Sequence, residues 1–191
     1  MKDGFDATGK LIVTLESPGI DYLVVGSLSS MAYGIPRSTK GADLVLSLEQ
    51  NALSKLTNAL GPEFQLGAQG SLEMVTGTLR YHLHVPEIAF EIELFLLSDD
   101  PHDQTRFNRR QRIFSPQLDN IASIPTAEDV IIMKLRWFGI AKRGKDQDDV
   151  RDIIAVQGDE ALDWHYIHKW TAEHGTRELL DEIRASIPKF D

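Results

Sequence analysis

Carboxylates on two short segments, both predicted to be β-strands, could together bind a divalent metal ion. The alternation of a β-strand places Gly41 and Asp43 on one face of the first segment. In the same way it places Glu91 and Glu93 on one face of the second segment. If the two strands are neighbours, two or three carboxylates converge and supply the hard oxygen ligands through which Mg²⁺ clamps a triphosphate.

Both segments also have a plain structural explanation. Asp43 would be stable on an edge strand, where its carboxylate faces water. Glu91 and Glu93 would form the polar face of an amphipathic strand whose other face carries Phe90 and Ile92. The sequence leaves both alternatives open.

An anion site is predicted at Gly26 and Ser27, where a buried strand over residues 21–25 meets a helix over residues 27–33. Unpaired backbone N–H groups and the helix dipole favour a phosphate at such a junction. The alternative is structural, because a glycine before a serine cap also begins many helices that bind no ligand.

Lys134 lies on the apolar face of a predicted helix, together with Val130 and Ile131. A buried ammonium group needs an anion, which would be an acidic side chain such as Asp148 or Asp152, or a ligand phosphate. A snorkelling lysine with a solvated ammonium group is the alternative.

Four arginines form a dense basic cluster, namely Arg106, Arg109, Arg110 and Arg112. We expect a solvated charged face here, because no series of aromatic residues is interleaved with the arginines to stack bases. Contact with RNA is the alternative.

Two histidine pairs have spacings that metal sites use. His82 and His84 alternate along a predicted strand, and His165 and His168 lie three residues apart on a predicted helix. Neither pair has an obvious third ligand in the sequence. We therefore expect structural or exposed histidines.

Strand and helix patterns alternate over the first part of the chain and become helical after Pro116. Strands are predicted over residues 21–25, 41–48, 79–85 and 88–97. Helices are predicted over residues 27–33 and 49–60, after a capping sequence that begins at Thr126, and over residues 150–156, 162–173 and 178–187. The fold class is therefore α+β, with a mixed-sheet α/β core over residues 1–120 and a helical region over residues 121–191 packed on it.

The composition is that of a folded protein and excludes several enzyme classes. Apolar residues make up 42% and charged residues 26% of the 191 residues. The absence of cysteine excludes disulfides, thiolate zinc sites and cysteine nucleophiles. The net charge of -9 disfavours extended contact with nucleic acid. We find no apolar run of membrane-spanning length and no secretory signal, and therefore expect a cytoplasmic protein without a membrane partner.

The order of these motifs resembles the signature of the nucleotidyltransferase superfamily with the DNA-polymerase-β-type fold. It is especially similar to small bacterial proteins related to abortive-infection toxin nucleotidyltransferases. The resemblance covers the chain from about Tyr22 to Trp170 and rests on residues 22–27, Gly34, 36–39, 43–45, 93–95, Arg109, Arg110, Pro125, 128–129, 134–137 and 148–152.

The resemblance implies transfer of a nucleoside monophosphate from a nucleoside triphosphate (NTP) to an acceptor, with Mg²⁺ or Mn²⁺ as the cofactor. It also implies that Asp43 and Glu93 are the catalytic metal ligands, with Glu91 as a further candidate. The residues that it assigns to nucleotide binding are Gly26, Ser27, Arg37, Thr39 and Lys134, with Lys40 nearby.

The chain departs from the family pattern at Gly41, where the pattern has an aspartate that binds metal. Losing one charged ligand weakens the metal sites. Three explanations are open: a natural loss of activity, an altered site that uses Glu91 or water, or a deliberate substitution. The alternative function is accordingly a catalytically inactive nucleotide-binding or interaction module with the same fold.

The resemblance does not determine the acceptor, because one fold serves many substrates. A protein, the end of a transfer RNA and a small molecule such as an aminoglycoside are all compatible with it. A partner protein, as in a toxin–antitoxin pair, is a further expectation. Neither the base preference nor the oligomeric state follows from the sequence.

Overall fold

A computed structural model describes residues 1–188, so residues 189–191 of the predicted helical region lie outside the described residues. The chain forms two compact units. The first unit comprises Met1–Leu28 and Ser38–Ile124, and the second comprises Ser29–Arg37 and the chain from Pro125 onward.

The first unit contains a mixed sheet, as the predicted fold class requires. Its strands are β1 (Tyr22–Val25), β2 (Gly41–Leu46), β3 (Gln65–Leu66), β4 (Ser71–Leu72), β5 (Leu79–Val85) and β6 (Phe90–Leu96). The strand order is β1-β2-β6-β5-β3, and β4 also pairs with β5. Strand β2 runs parallel to β6 and antiparallel to β1, while β5 runs antiparallel to β6.

Several elements of this unit were not predicted from the sequence. The helices here are α1 (Gly4–Glu16), the first turn of α2 (Gly26–Tyr33), α3 (Leu53–Leu60) and α4 (Pro101–Asn108), and a separate hairpin consists of β7 (Gln111–Ser115) and β8 (Asn120–Ile124). Asp3 caps the N-terminus of α1, and its side chain accepts hydrogen bonds from the N–H groups of Phe5 and Asp6. Of these elements, α1, α4 and the β7–β8 hairpin were not predicted from the sequence.

One face of the sheet is apolar along its whole length. Its residues are buried and include Val24, Ala42, Leu44, Leu46, Leu83, Ile92 and Leu94. Helix α1 packs on this side, where its Gly4 lies against the ring of Phe90. Burial of these aliphatic side chains is the main stabilising term for the unit.

The opposite face of the sheet is divided into an apolar and a polar part. In the apolar part, Leu23, Val25, Val45 and Phe95 pack against Phe107 of α4. The polar part carries the carboxylates of β2 and β6 and the histidines of β5. Helix α4 therefore covers only the apolar part of this face.

The second unit is helical after Pro125, which confirms the predicted helical region. Its helices are α5 (Ala127–Ala141), α6 (Gly144–Gln157), α7 (Trp164–Glu173) and α8 (Arg177–Ala185). Thr126 caps α5, and its side chain accepts a hydrogen bond from the N–H of Asp129, as the capping sequence predicted. The four helices share one core, which includes Ile131, Leu135, Val150, Ile153, Ile167 and Leu180.

Among residues 1–188, no helix combines the length and the apolar character that crossing a membrane requires.

Replacing Leu44 with alanine is expected to destabilise the protein, because this fully buried side chain lies at the centre of the sheet. Leu44→Ala should lower the free energy of unfolding by about 2–5 kcal/mol. Val13→Ala, on the exposed side of α1, serves as the control and should change it by no more than about 0.5 kcal/mol. Urea unfolding followed by circular dichroism measures both, and equal losses would contradict the interior position of β2.

Candidate functional site

The register of β2 and β6 brings the predicted carboxylates together. Asp43 lies opposite Glu93, and Gly41 lies opposite Glu91. Because β2 pairs with a strand on each side, Asp43 is not on an edge strand, which excludes that alternative. Asp43, Glu91 and Glu93 are partly exposed on the polar part of the sheet face.

Gly26 and Asp43 are in direct contact at the start of α2. The φ angle of Gly26 is +63°, a left-handed conformation that side chains rarely adopt, and a Cβ at this position would overlap the carboxylate of Asp43. Ser27, the next residue of the helix, is buried. The carboxylate of Asp43 therefore lies at a helix N-terminus, where the backbone dipoles favour negative charge.

Gly41 is held by its neighbours on both sides. The hydroxyl of Thr39 donates a hydrogen bond to the carbonyl oxygen of Gly41 at 2.9 Å. A Cβ added at position 41 would lie 2.8 Å from the backbone carbonyl oxygen of Glu91. An aspartate can therefore replace Gly41 only if the backbone of β2 or β6 shifts.

In the second unit, Lys134 is buried against two acidic side chains. Its ammonium nitrogen lies 3.1 Å from Asp146 and 2.7 Å from Asp149. The predicted partners Asp148 and Asp152 are therefore wrong, because the turn of α6 directs residues 146 and 149 towards α5. The snorkelling alternative is also wrong, since only 8% of the Lys134 side chain is exposed.

Arg37 and Arg143 extend this arrangement into a network of alternating charges. Arg37 forms two hydrogen bonds of 3.0 Å with Asp149, and Arg143 forms one of 2.7 Å with Asp146. Burial raises the pKa of Asp149, but the hydrogen bond from Arg37 and the charge of Lys134 outweigh it, so the pKa lies below its ordinary value. Both Arg37 and Lys134 thus have acidic partners within the protein. Their nucleotide-binding roles remain predictions.

The arginine cluster is not a uniformly solvated face. Helix α4 turns Arg106 inward, where its Nε donates a hydrogen bond of 2.6 Å to the buried carboxylate of Asp103. Arg110 and Arg112 pair with acidic side chains elsewhere in the first unit. The expectation of a solvated face is wrong for Arg106, because helix α4 was not predicted from the sequence.

His82 and His84 lie beside the carboxylates of β6, so the structure supplies candidate further ligands that were not obvious in the sequence, while both histidines are partly exposed. In the β5–β6 register, His82 is opposite Glu93 and His84 is opposite Glu91. The sequence contained a signal for this, because only four residues separate the two strands and so short a connection favours an antiparallel pair. Within residues 1–188, no group of three potential metal ligands includes His165 or His168.

The fold is that of nucleotidyltransferase-like proteins. A solved antigenic nucleotidyltransferase-like protein from Paracoccidioides brasiliensis is 18% identical to this chain, with a TM-score of 0.54 and coverage of 99% of this chain and 95% of that chain. No protein-family model matches the chain, and no curated protein matches its sequence. We conclude that the chain has the nucleotidyltransferase fold, which confirms the resemblance at the level of the fold.

Two further solved structures share this fold. The antibiotic-resistance factor ANT(2'')-Ia is 11% identical, with a TM-score of 0.60 and coverage of 95% of this chain and 96% of that chain. The protein JHP933 from Helicobacter pylori is 13% identical, with a TM-score of 0.55 and coverage of 96% and 90%. At these identities the similarity concerns the fold and not the substrate.

Gly26→Ala is expected to destabilise the first unit for two reasons, the positive φ angle and the overlap with Asp43. Gly19→Ala is a matched control, because Gly19 has a φ of +74° and a Cβ there would meet no atom within 4 Å. The control should lose about 1–2 kcal/mol of unfolding free energy from the backbone alone, and Gly26→Ala should lose more. Urea unfolding measures the difference, and equal losses would show that the Asp43 carboxylate moves away at no cost.

Lys134→Ala is expected to leave Asp146 and Asp149 buried without their shared counter-charge. Breaking a buried ion pair in this way costs about 3–5 kcal/mol of unfolding free energy. Lys145→Ala is the control, because Lys145 is exposed on α6 and its replacement should cost less than about 0.5 kcal/mol. If chemical denaturation showed a loss below 1 kcal/mol for Lys134→Ala, the ammonium group would not hold this network together.

Proposed function

We propose that the protein transfers a nucleoside monophosphate from an NTP to an acceptor hydroxyl, with Asp43 and Glu93 as the ligands of one Mg²⁺ or Mn²⁺ ion. The observation that carries this proposal is the position of the Asp43 carboxylate. It lies between Gly26, at the start of α2, and Glu93, on the parallel neighbouring strand.

The residues present suit a magnesium site. Proteins bind Mg²⁺ through one or two carboxylates together with waters and substrate phosphates, and Asp43 and Glu93 supply two carboxylates on one sheet face. When bound, the ion would neutralise part of the triphosphate charge and polarise its α-phosphate. Glu91, opposite Gly41, is the further candidate ligand.

The start of α2 supports binding of the triphosphate. The helix dipole favours an anion beside the start of a helix. The positive φ of Gly26 lets the chain turn directly from β1 into this helix. Binding there would place the α-phosphate close to Asp43.

The reaction that we propose exchanges one phosphorus–oxygen bond for another. The acceptor oxygen bonds to the α-phosphorus, the bond to the bridging oxygen of the β-phosphate breaks, and pyrophosphate and the hydroxyl proton leave. Small hydroxylated molecules are the first acceptors to try, since one solved structure with this fold is ANT(2'')-Ia in complex with adenylyl-2''-tobramycin. Protein and transfer RNA are the other candidate acceptors.

A nucleotide-binding module without activity is the second candidate function, and Gly41 favours it. The position lacks a carboxylate, and a Cβ there would lie 2.8 Å from the carbonyl oxygen of Glu91. The strand spacing thus suits glycine and would resist an aspartate at this position. Such a module would bind NTP and release no pyrophosphate.

Calorimetric titration of each NTP with Mg²⁺ tests nucleotide binding, and a pyrophosphate-release assay with tobramycin, transfer RNA and protein acceptors tests turnover. We expect the unaltered chain to bind an NTP and Asp43→Asn to weaken this binding at least about tenfold, because a ligand of the ion is lost. Gly41→Asp should increase pyrophosphate release if β2 accommodates the new side chain.

Asp99→Asn is the control for the titrations, because Asp99 is exposed outside the site and its replacement should leave NTP affinity unchanged. Binding without turnover in every variant would favour the inactive module. Absence of NTP binding in both the unaltered chain and Gly41→Asp would refute both candidate functions.

A further inference from the structure

The polar part of the sheet face contains a second group of potential metal ligands, which adds His82 to Glu91 and Glu93 and does not include Asp43. One ligand atom each from His82, Glu91 and Glu93 can be chosen so that all three lie within 4.8 Å of one another. Within residues 1–188, no other set of three histidine, aspartate, glutamate or cysteine residues meets this condition. The antiparallel pairing of β5 with β6 produces the group by placing His82 opposite Glu93.

The chemistry of this group differs from that of a magnesium site. Magnesium prefers oxygen ligands, whereas an imidazole nitrogen is a common ligand of zinc and other first-row transition metals. One neutral imidazole and two carboxylates also carry the charge that balances a divalent cation. We propose that His82, Glu91 and Glu93 bind one divalent transition-metal ion of the Zn²⁺ type.

The distances suit this ion after a small rotation of the side chains. Ligand atoms at about 2.0–2.2 Å from a tetrahedral zinc ion lie roughly 3.4 Å apart. The Nδ1 atom of His82 already lies 2.6 Å from Oε1 of Glu91. The three side chains are between 28% and 41% exposed, which leaves the ion a route from solvent.

Outer partners hold both carboxylates in place. Nδ1 of His84 lies 3.1 Å from Oε2 of Glu91, and a guanidinium nitrogen of Arg80 lies 3.3 Å from Oε1 of Glu93. Partners of this kind orient the ligands of protein metal sites and tune their affinity. His84 is therefore a positioning residue for the ion.

The proposed ion lies on the side of β6 that faces β5, whereas Gly41, which lacks the carboxylate of the family pattern, lies on the side that faces β2. Gly41 and Asp43 of β2 flank β6 on one side, and His82 of β5 flanks it on the other. The proposal goes beyond nucleotidyl transfer, because binding of the ion requires no nucleotide.

Calorimetric titration of Zn²⁺ into the full chain, free of any polyhistidine tag and of nucleotide, tests the proposal. We expect one equivalent to bind at least about 100-fold more tightly than Mg²⁺ under the same conditions. The chain contains no cysteine, so thiolates cannot account for the binding. X-ray absorption at the zinc edge should show one imidazole nitrogen among oxygen ligands.

Single substitutions locate the site. His82→Gln and Glu91→Gln should each weaken Zn²⁺ binding at least about tenfold, and His84→Gln should weaken it less. His165→Gln is the matched control, since His165 is exposed on α7 and its loss should leave the affinity unchanged. Circular dichroism of each variant checks that the fold is retained.

The result that overturns the proposal is Zn²⁺ binding that His82→Gln and His165→Gln affect equally, or no binding at all. Failure of this site is distinguishable from failure of the proposed function. Asp43→Asn should leave Zn²⁺ affinity within about threefold while it weakens binding of NTP with Mg²⁺, because Asp43 belongs to the magnesium ligands alone.

Discussion

The parallel pairing of β2 with β6 is the constraint on which the chemistry of the first unit depends. It places Asp43 opposite Glu93 and Gly41 opposite Glu91, while β1 on the other side of β2 directs Gly26 towards Asp43. A shift of one residue in this register would turn every carboxylate into the apolar face. The buried aliphatic side chains of that face make such a shift costly and so hold the carboxylates on the polar face.

Two positions near the carboxylates leave no room for a side chain, and both are glycine, for different reasons. At Gly26 the backbone has a positive φ angle and passes so close to Asp43 that any side chain would displace the carboxylate. At Gly41 the restriction comes from the carbonyl oxygen of Glu91 on the neighbouring strand. The missing carboxylate at position 41 is therefore part of the strand packing, and the proposed activity would depend on Asp43 of β2 and Glu93 of β6.

Charged side chains of the second unit form ion pairs with one another. Lys134 lies between Asp146 and Asp149, and Arg37 and Arg143 complete the network from outside. Leaving any one of these groups without its partner in a buried position is costly, which holds α5 and α6 in one arrangement. The arginines of the first unit behave in the same way, with Arg106 buried against Asp103. The net charge of -9 thus says little about which surfaces are available for binding.

Local patterns in the sequence determined the fold class, the strands that carry Asp43 and Glu93, the cap at Thr126 and the position of Lys134 on the apolar face of α5. These features follow from repeats of two or of 3.6 residues and from capping within a few residues, so they need no knowledge of distant contacts. Helix α4 was missed because its polar sequence has no clear apolar stripe, and its inward arginine was missed with it. Only the tertiary structure decided that His82 lies beside Glu91 and that Lys134 pairs with Asp146 and Asp149. Those neighbours depend on which strands pair and on how far each helix has turned, and residues distant in the sequence set both through packing.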